Sequence, residues 1–389
     1  MTKQQKKDRI IFLGSYDEDK PRVRMMRKGA HQAGFEVLEL NVNIWAGVKD
    51  KSDLKKISQL ARYFFGWLVS RPRLLVKYWR SPSHSVVIFP YPGVADVILF
   101  RVLTRLRRAQ TCLDVFISIY ETIVEDRQLL KSTSIIASLL YRVEAHAAEI
   151  VDIVISDTPP NSSNFSRIFP RTKRPPYYVP VGVETDIFKR VTHGPWSGVR
   201  PLKVLFYGQF VPLQGTLVLL DAIKLWEDSQ YCRVDWVIIG RGQESSEFDR
   251  RLKQHNVPAI KRIEWVEYEE LPAYIAAADV CLGIFGASQK ALSVIPNKVY
   301  QILAVGRPLL TARTPGIQSL LNPSSAIELV MPNSPAAIVK GLRELSHRLA
   351  TRPEEVHKET NQMPIVDSQQ VGQQLAYVLL ETASRKQKD

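Results

Sequence analysis

The sequence predicts an α/β protein of two successive open domains, each a parallel sheet flanked by helices. Three observations carry this. At 389 residues the chain is long for one hydrophobic core and right for two. A buried apolar run over 9–14 ends at Gly14, a helical pattern follows over 22–33, and a second strand runs over 34–40. The same pattern restarts at 202–208, ending at Gly208, with a helix over 215–226 and a strand over 234–240. Residues 170–200, rich in proline, glycine and basic residues, separate the two. The expected division is a first domain over 1–180, a linker over 181–200, a second domain over 201–365, and a terminal helix and tail over 366–389.

In the first domain, further strands are expected over 85–90, 111–116, 151–156 and 177–181, with a helix over 134–148. In the second, residues 262–266 read as a short strand and 271–278 as a helix. Val280, Cys281 and Leu282 end an apolar run that Gly283 and Gly286 break. Pro296 opens a short helix, since proline costs least at a first helical position, and Gly306 closes it. A strand over 308–311 follows, and 369–384 is the terminal helix.

Composition bounds the function. Hydrophobic content of 45% and charged content of 24% are ordinary globular values. Cys112, Cys232 and Cys281 form no CxxC pair, which argues for a reducing compartment and against a disulfide or zinc framework. The start of the chain has no signal-peptide core, and no apolar run approaches the roughly 20 residues of a spanning helix. A cytoplasmic protein, peripheral at the inner face of the cell membrane, is expected.

The net charge of +14 is unevenly placed: residues 1–180 hold 29 Lys and Arg against 17 Asp and Glu. Between Asp53 and Asp96 there is no acid, but there are Lys55, Lys56, Arg62, Arg71, Arg73, Lys77 and Arg80, interleaved with Tyr63, Phe64, Phe65, Trp67, Tyr78 and Trp79. Segment 55–80 therefore suits an anionic membrane surface. A half-buried helix with a solvated basic face has the same pattern. Nucleic acid would also attract the charge and is not the expected partner.

The ligand ends of the two sheets are marked by different residues. Asn297, Lys298 and Gln301 fall in the first turns of the helix opened by Pro296, near the glycines at 208, 240 and 286. A helix N-terminus beside a glycine loop and a lysine suits an anion such as a diphosphate. In the first domain, Gly14, Arg22 and Arg24 follow the first strand, and Asp114, Tyr120, Glu121, Asp126 and Arg127 follow the fourth. Ligands of open α/β sheets bind past the carboxyl ends of the strands. No His/Cys/carboxylate cluster has metal spacing, so no metal or other cofactor is expected.

The stretch Val179-Pro-Val-Gly-Val-Glu-Thr-Asp-Ile-Phe188 resembles the interdomain segment of GT-B glycosyltransferases of family 4. Phe206-Tyr-Gly208 with Gly215, the strand and loop over 237–242, Ala277 to Gly283, and Pro296 to Pro308 follow in that family's order and spacing. The resemblance is good over about 175–315 and looser over 9–160. It implies two Rossmann-like domains with parallel sheets facing a central cleft, and transfer of a sugar from a nucleotide-diphosphate sugar with retention of configuration. It also implies that the second domain binds the donor and the first the acceptor, a cell-envelope glycan or glycolipid. By that resemblance Gly208, Gln209, Gln214, Gly240, Trp265, Val266, Gly286, Asn297, Lys298 and Gln301 are donor-binding. Gly14, Arg22, Arg24, Tyr120 and Arg127 are acceptor-binding, and Asp114 and Glu121 are the candidate catalytic carboxylates.

The family's pattern is not kept throughout. Its basic pair is Gln209 and Gln214 here, and its two glutamates are Ser293 and Gln301. Two alternatives stay open: a catalytically weak binding or partner subunit, and a nucleotide-sugar epimerase of the same fold.

Overall fold

In a computed structural model of the protein, the described residues are 8–42, 57–191, 196, 198–255, 257 and 260–386. Lys55 and Lys56 of the basic segment lie outside them, and the side chains over 57–64 and 384–386 are not described. The chain forms two units, one reaching from its start to Gly182 and resuming at Val366, the other Val183–Ile365.

The first unit is built on strands β1 (Arg9–Gly14), β2 (Glu36–Asn41), β3 (Val86–Phe89), β4 (Gln110–Asp114), β5 (Ile153–Ser156) and β6 (Tyr177–Tyr178). They pair in the order β2-β1-β3-β4-β5-β6, all parallel. Alternate strand residues enter opposite layers, as the two-residue period of a strand requires. Ile10, Phe12, Ile88 and Cys112 pack with Val23 and Met26 of α1 (Pro21–Gln32) and with Val371 and Leu375 of the C-terminal helix, Ser368–Lys386. Ile11, Leu13, Val87 and Leu113 face the other layer: α2 (Ile57–Trp79), α3 (Val94–Leu106), α4 (Ile135–Ile150) and α5 (Pro159–Ile168).

The C-terminal helix lies backbone-to-backbone on α1. A Cβ built on Gly372 would stand 2.0 Å from the carbonyl oxygen of Gly29, so only glycine permits the crossing. The helix Ser368–Lys386 is thus part of the first unit's core layer.

The second unit holds β7 (Leu202–Tyr207), β8 (Val234–Ile239), β9 (Ile260–Ile263), β10 (Val280–Leu282), β11 (Leu309–Ala312) and β12 (Ile327–Val330), in the parallel order β12-β11-β10-β7-β8-β9. Its helices are α6 (Thr216–Ser229), α7 (Ser245–His255), α8 (Leu271–Ala277), α9 (Gln289–Ser293), α10 (Asn297–Val305), α11 (Pro315–Gln318), α12 (Pro335–Thr351) and α13 (Pro353–Gln362). The expected start and stop of α10 are observed: Pro296 precedes it, and Gly306 ends it at φ +81° with its N–H on Ile302 O. The short strand expected over 262–266 stops at Ile263, so Trp265 and Val266 lie in the loop beyond it. In each sheet the order reverses beside the first strand, which is where an open α/β sheet leaves a crevice for a ligand.

Candidate functional site

In the second unit the loops after β7, β8 and β10 touch one another through glycines. Gly208 (φ +152°) and Gly240 (φ +133°) cross so closely that a Cβ on Gly240 would stand 1.8 Å from the Gly208 oxygen. Gly215, left-handed at φ +68°, would place a Cβ 2.7 Å from the Gly286 nitrogen, and a Cβ on Gly286 would meet Leu213 O at 2.5 Å. Phe285 N donates to Gln214 O at 3.1 Å and ties the two loops. Gly240 and Gly286 are thus explained by chain-to-chain packing before any ligand is invoked.

Lys298 reaches into this junction from the first turn of α10. It is 4% exposed, and its Nζ donates to Gly283 O at 3.1 Å and sits 3.9 Å from the centre of the Phe206 ring. The same Nζ and the Oε1 of Gln214 are each 3.1 Å from where a Gly208 Cβ would be. That Gln214 oxygen is buried without a hydrogen-bond partner. Burial without an acidic neighbour pushes the Lys298 ammonium well below the usual lysine range. An ammonium has three donors and uses one here, so the junction is poised for an anion.

Gln301 is also buried, and both ends of its amide are engaged. Tyr207 OH donates to its Oε1 at 2.9 Å, and its Nε2 donates to Tyr268 OH at 3.4 Å. Tyr268 OH in turn donates to Glu184 Oε2 at 3.0 Å. Asn297 is half-buried at the helix start, and Pro296, which precedes it, supplies no side-chain cap. Gln209 is exposed. Trp265, 42% exposed, stacks under Arg241 at 5.7 Å, and Val266 beside it is half-buried.

In the first unit the predicted residues fall into two clusters and a remainder. Arg22 and Asp114, each 1% exposed at the side chain, form a bidentate ion pair: Arg22 Nε donates to Oδ2 at 2.8 Å and Nη2 to Oδ1 at 2.7 Å. Arg22 Nη1 donates to Val179 O at 2.9 Å, and the guanidinium lies 5.0 Å from the Phe116 ring centre. Glu121 accepts from Asn164 Nδ2 at 2.6 Å at the start of a π-helical turn, Glu121–Asp126. Tyr120 packs edge-on against Tyr141 and Phe169. Arg24 and Arg127 are half-buried.

Several residues here were not foreseen. Asp96 occupies the space a Gly14 side chain would fill, its Oδ2 2.7 Å from the Cβ position, and accepts from Ser15 N at 3.0 Å and Trp67 Nε1 at 3.1 Å. Arg71 pairs with Asp96 and donates to Ser15 Oγ. Burial pushes Asp96 up and Arg71 down, and their pairing offsets part of both shifts. Arg71 and Tyr78 of the basic-aromatic segment are therefore core groups, not surface ones. The one available signal was that Asp96 is the only acid between Asp53 and Asp114.

Glu144 of α4, 1% exposed, accepts from Ile119 N at 3.0 Å, Tyr120 N at 2.9 Å and Ser118 Oγ at 3.1 Å, and so ties α4 to the turn carrying Glu121. Desolvation outweighs these bonds and pushes its carboxyl from 4.5 up to about 7. Between those values the folded protein holds a proton that the unfolded chain releases. Stability is therefore expected to fall as pH rises across that window. Asp96 and Asp157, also pushed up by burial, add slope of the same sign. Urea titrations from pH 4.5 to 8 should show a shallower slope in Glu144→Gln, with about 1–2 kcal/mol lost to unmatched donors. An unchanged slope would exclude Glu144 as its source.

Residues 201–348 match the family model of the glycosyl transferases group 1. That match falls within the second unit. The whole chain is similar in structure to the sucrose-phosphate synthase of Thermosynechococcus elongatus, with a TM-score of 0.70 and 14% identity over 97% of this chain and 100% of that one. It is similar to the Anabaena protein HepE in complex with UDP, at 0.62 and 12% over 97% and 100%. A glycosyltransferase from Rickettsia africae gives 0.63 and 11% over 97% and 99%. Likeness at such identities is one of fold, and two six-stranded parallel α/β units are the GT-B arrangement. No curated protein matches the chain in sequence.

Among the described residues no helix is long and apolar enough to cross a membrane, and no three His, Cys, Asp or Glu side chains gather to hold a metal ion.

Proposed function

We propose that the chain is a retaining glycosyltransferase. It moves a sugar from a nucleotide-diphosphate sugar, bound by the second unit, to a cell-envelope glycan or glycolipid bound by the first. The work is done at the cytosolic membrane face, with the basic-aromatic segment 55–80 against anionic lipid. The observation that carries the reading is Lys298, a buried cation with unused donors between Gly208, Gly283 and the unpaired Gln214 oxygen. Its ammonium stands close to Gln214, one of the two positions where the expected basic pair is missing. It supplies, from α10, the charge those positions lack. HepE, of the same fold, has been seen with UDP and with UDP-glucose, which favours a uridine nucleotide.

In this scheme Lys298 and the first backbone N–H groups of α10 hold the diphosphate. The bond between the anomeric carbon and the phosphate oxygen breaks, and the acceptor oxygen bonds to the same face of the sugar. The acceptor's proton passes to the departing phosphate oxygen, and a nucleoside diphosphate leaves. The protein's contribution is positioning and stabilisation of the charge that develops on the diphosphate. Asp114, held by Arg22, acts as a positioning group, and Glu121 orients the acceptor. No metal enters the scheme.

A panel of nucleotide sugars with lipid-linked and free glycan acceptors tests this. Release of nucleoside diphosphate with retained configuration, undiminished by EDTA, is expected. Loss of turnover in EDTA, restored by a divalent cation, would overturn the metal-free scheme. The second reading, a binding or partner subunit, is favoured by the engaged Gln301 amide. It predicts nucleotide binding without turnover for every pair.

A further inference from the structure

The membrane reading above names only segment 55–80, but the structure assigns an anionic-lipid docking surface with a second half, the outer face of α3. The two helices lie in one layer, since Leu74 and Tyr78 of α2 and Val97 and Phe100 of α3 enter one core cluster. On α3 the buried side is Val97, Phe100 and Thr104. Leu99, Val102 and Leu106, at i, i+3 and i+7, take the opposite side, and Val102 and Leu106 are 67% and 65% exposed. On α2, Leu68, Val69, Val76 and Trp79 are likewise about half exposed or more.

The two faces are joined. Arg107, just past α3, donates to the carbonyl oxygens of Tyr78 at 2.9 Å, Trp79 at 2.6 Å and Ser81 at 2.8 Å. Tyr78 also packs edge-on against Phe100. The last turns of both helices, with Trp79 and Leu106, are fastened side by side.

Charge decides the occupant. Arg73, Lys77, Arg80, Arg105 and Arg108 are exposed around this apolar field. Residues 54–113 hold one acid, Asp96, and it is buried against Arg71. A second copy of the chain would bring like charges together. Nucleic acid would use the cations and leave the apolar side chains wet. An anionic bilayer takes both, the side chains among acyl chains and the cations at the headgroups.

The test is sedimentation of the full chain with vesicles of phosphatidylglycerol and phosphatidylcholine, against phosphatidylcholine alone. Arg105→Gln/Arg108→Gln should lower partitioning into the mixed vesicles about 30-fold, from two headgroup-facing cations. Val102→Ser/Leu106→Ser should lower it several-fold. Unchanged melting temperatures would separate both from misfolding. Wild-type binding by both α3 variants, with loss only in Val76→Ser/Trp79→Ser, would overturn the assignment and leave the membrane reading standing. Equal wild-type binding to both vesicle types would remove that reading too. A concentration-dependent dimer abolished by Val102→Ser/Leu106→Ser would give the surface to a second copy instead.

Discussion

Asp114→Ala is expected to lower the unfolding free energy by about 3–5 kcal/mol, the usual effect of breaking a buried ion pair. The geometry makes this site a strong case. Arg22 spends three donors on Asp114 and Val179 O, and both charged side chains are nearly inaccessible. Without the carboxylate, the guanidinium loses its bidentate partner, while the Val179 carbonyl, the Phe116 ring and the field of buried Asp157 stay in place. Arg22→Met/Asp114→Leu, which removes both charges, should recover most of the loss, because burying an ion pair gains little over well-packed apolar groups. Urea denaturation of the three proteins measures this. If Asp114→Ala costs under 1 kcal/mol while turnover disappears, Asp114 is a catalytic group and not the positioning group proposed above.

Lys298→Met should act in the opposite sense on stability. The wild-type ammonium is buried with one carbonyl acceptor and no acid, so replacing it with a methionine of similar length is expected to stabilise the second unit or leave it unchanged. Nucleotide-diphosphate binding should meanwhile weaken about 10- to 100-fold, the worth of one or two charge-assisted hydrogen bonds. Titration calorimetry with UDP and thermal melting would read the two effects.

The pH dependence follows from the same burial. The folded pKa lies well below the unfolded one, so between them the unfolded chain binds more protons and stability rises with pH. Affinity for the diphosphate runs the other way, falling as pH rises through the depressed pKa, because the ammonium form binds. UDP binding that ignores both the mutation and pH would remove Lys298 from the donor site.

The sequence was most legible where a pattern is local. Strands β1, β7 and β8 end at or beside glycines that the loops demand, and α10 carries its own start and stop. The Lys298 site was visible because helix, lysine and glycine loop lie within one stretch. What was hidden depends on distant partners. Arg71 read as a surface cation because nothing local reveals Asp96, which reaches it from α3. Asp114 and Arg22 were singled out separately, and their mutual capture is set by the register of β4 beside the first α/β turn. Strand β12 and helix α3 have weak local signals, and the layers they complete are known only once the sheets are formed. The 179–188 stretch was recognised as a motif, but Glu184's bond to Tyr268 was not.

The C-terminal helix has a consequence for how the protein is made. The chain is synthesised from the first unit outward, and the helix that packs on α1 leaves the ribosome after every other element described above. Until then Val23, Met26 and Ala30 of α1 have no cover from Val371 and Leu375, and the whole of Val183–Ile365 must emerge in the interval. The second unit, contiguous in sequence, is free to fold as it appears. The first must wait, half-covered, until that helix has emerged. Translation speed and chaperone supply therefore bear on the older half of the nascent chain more than on the younger.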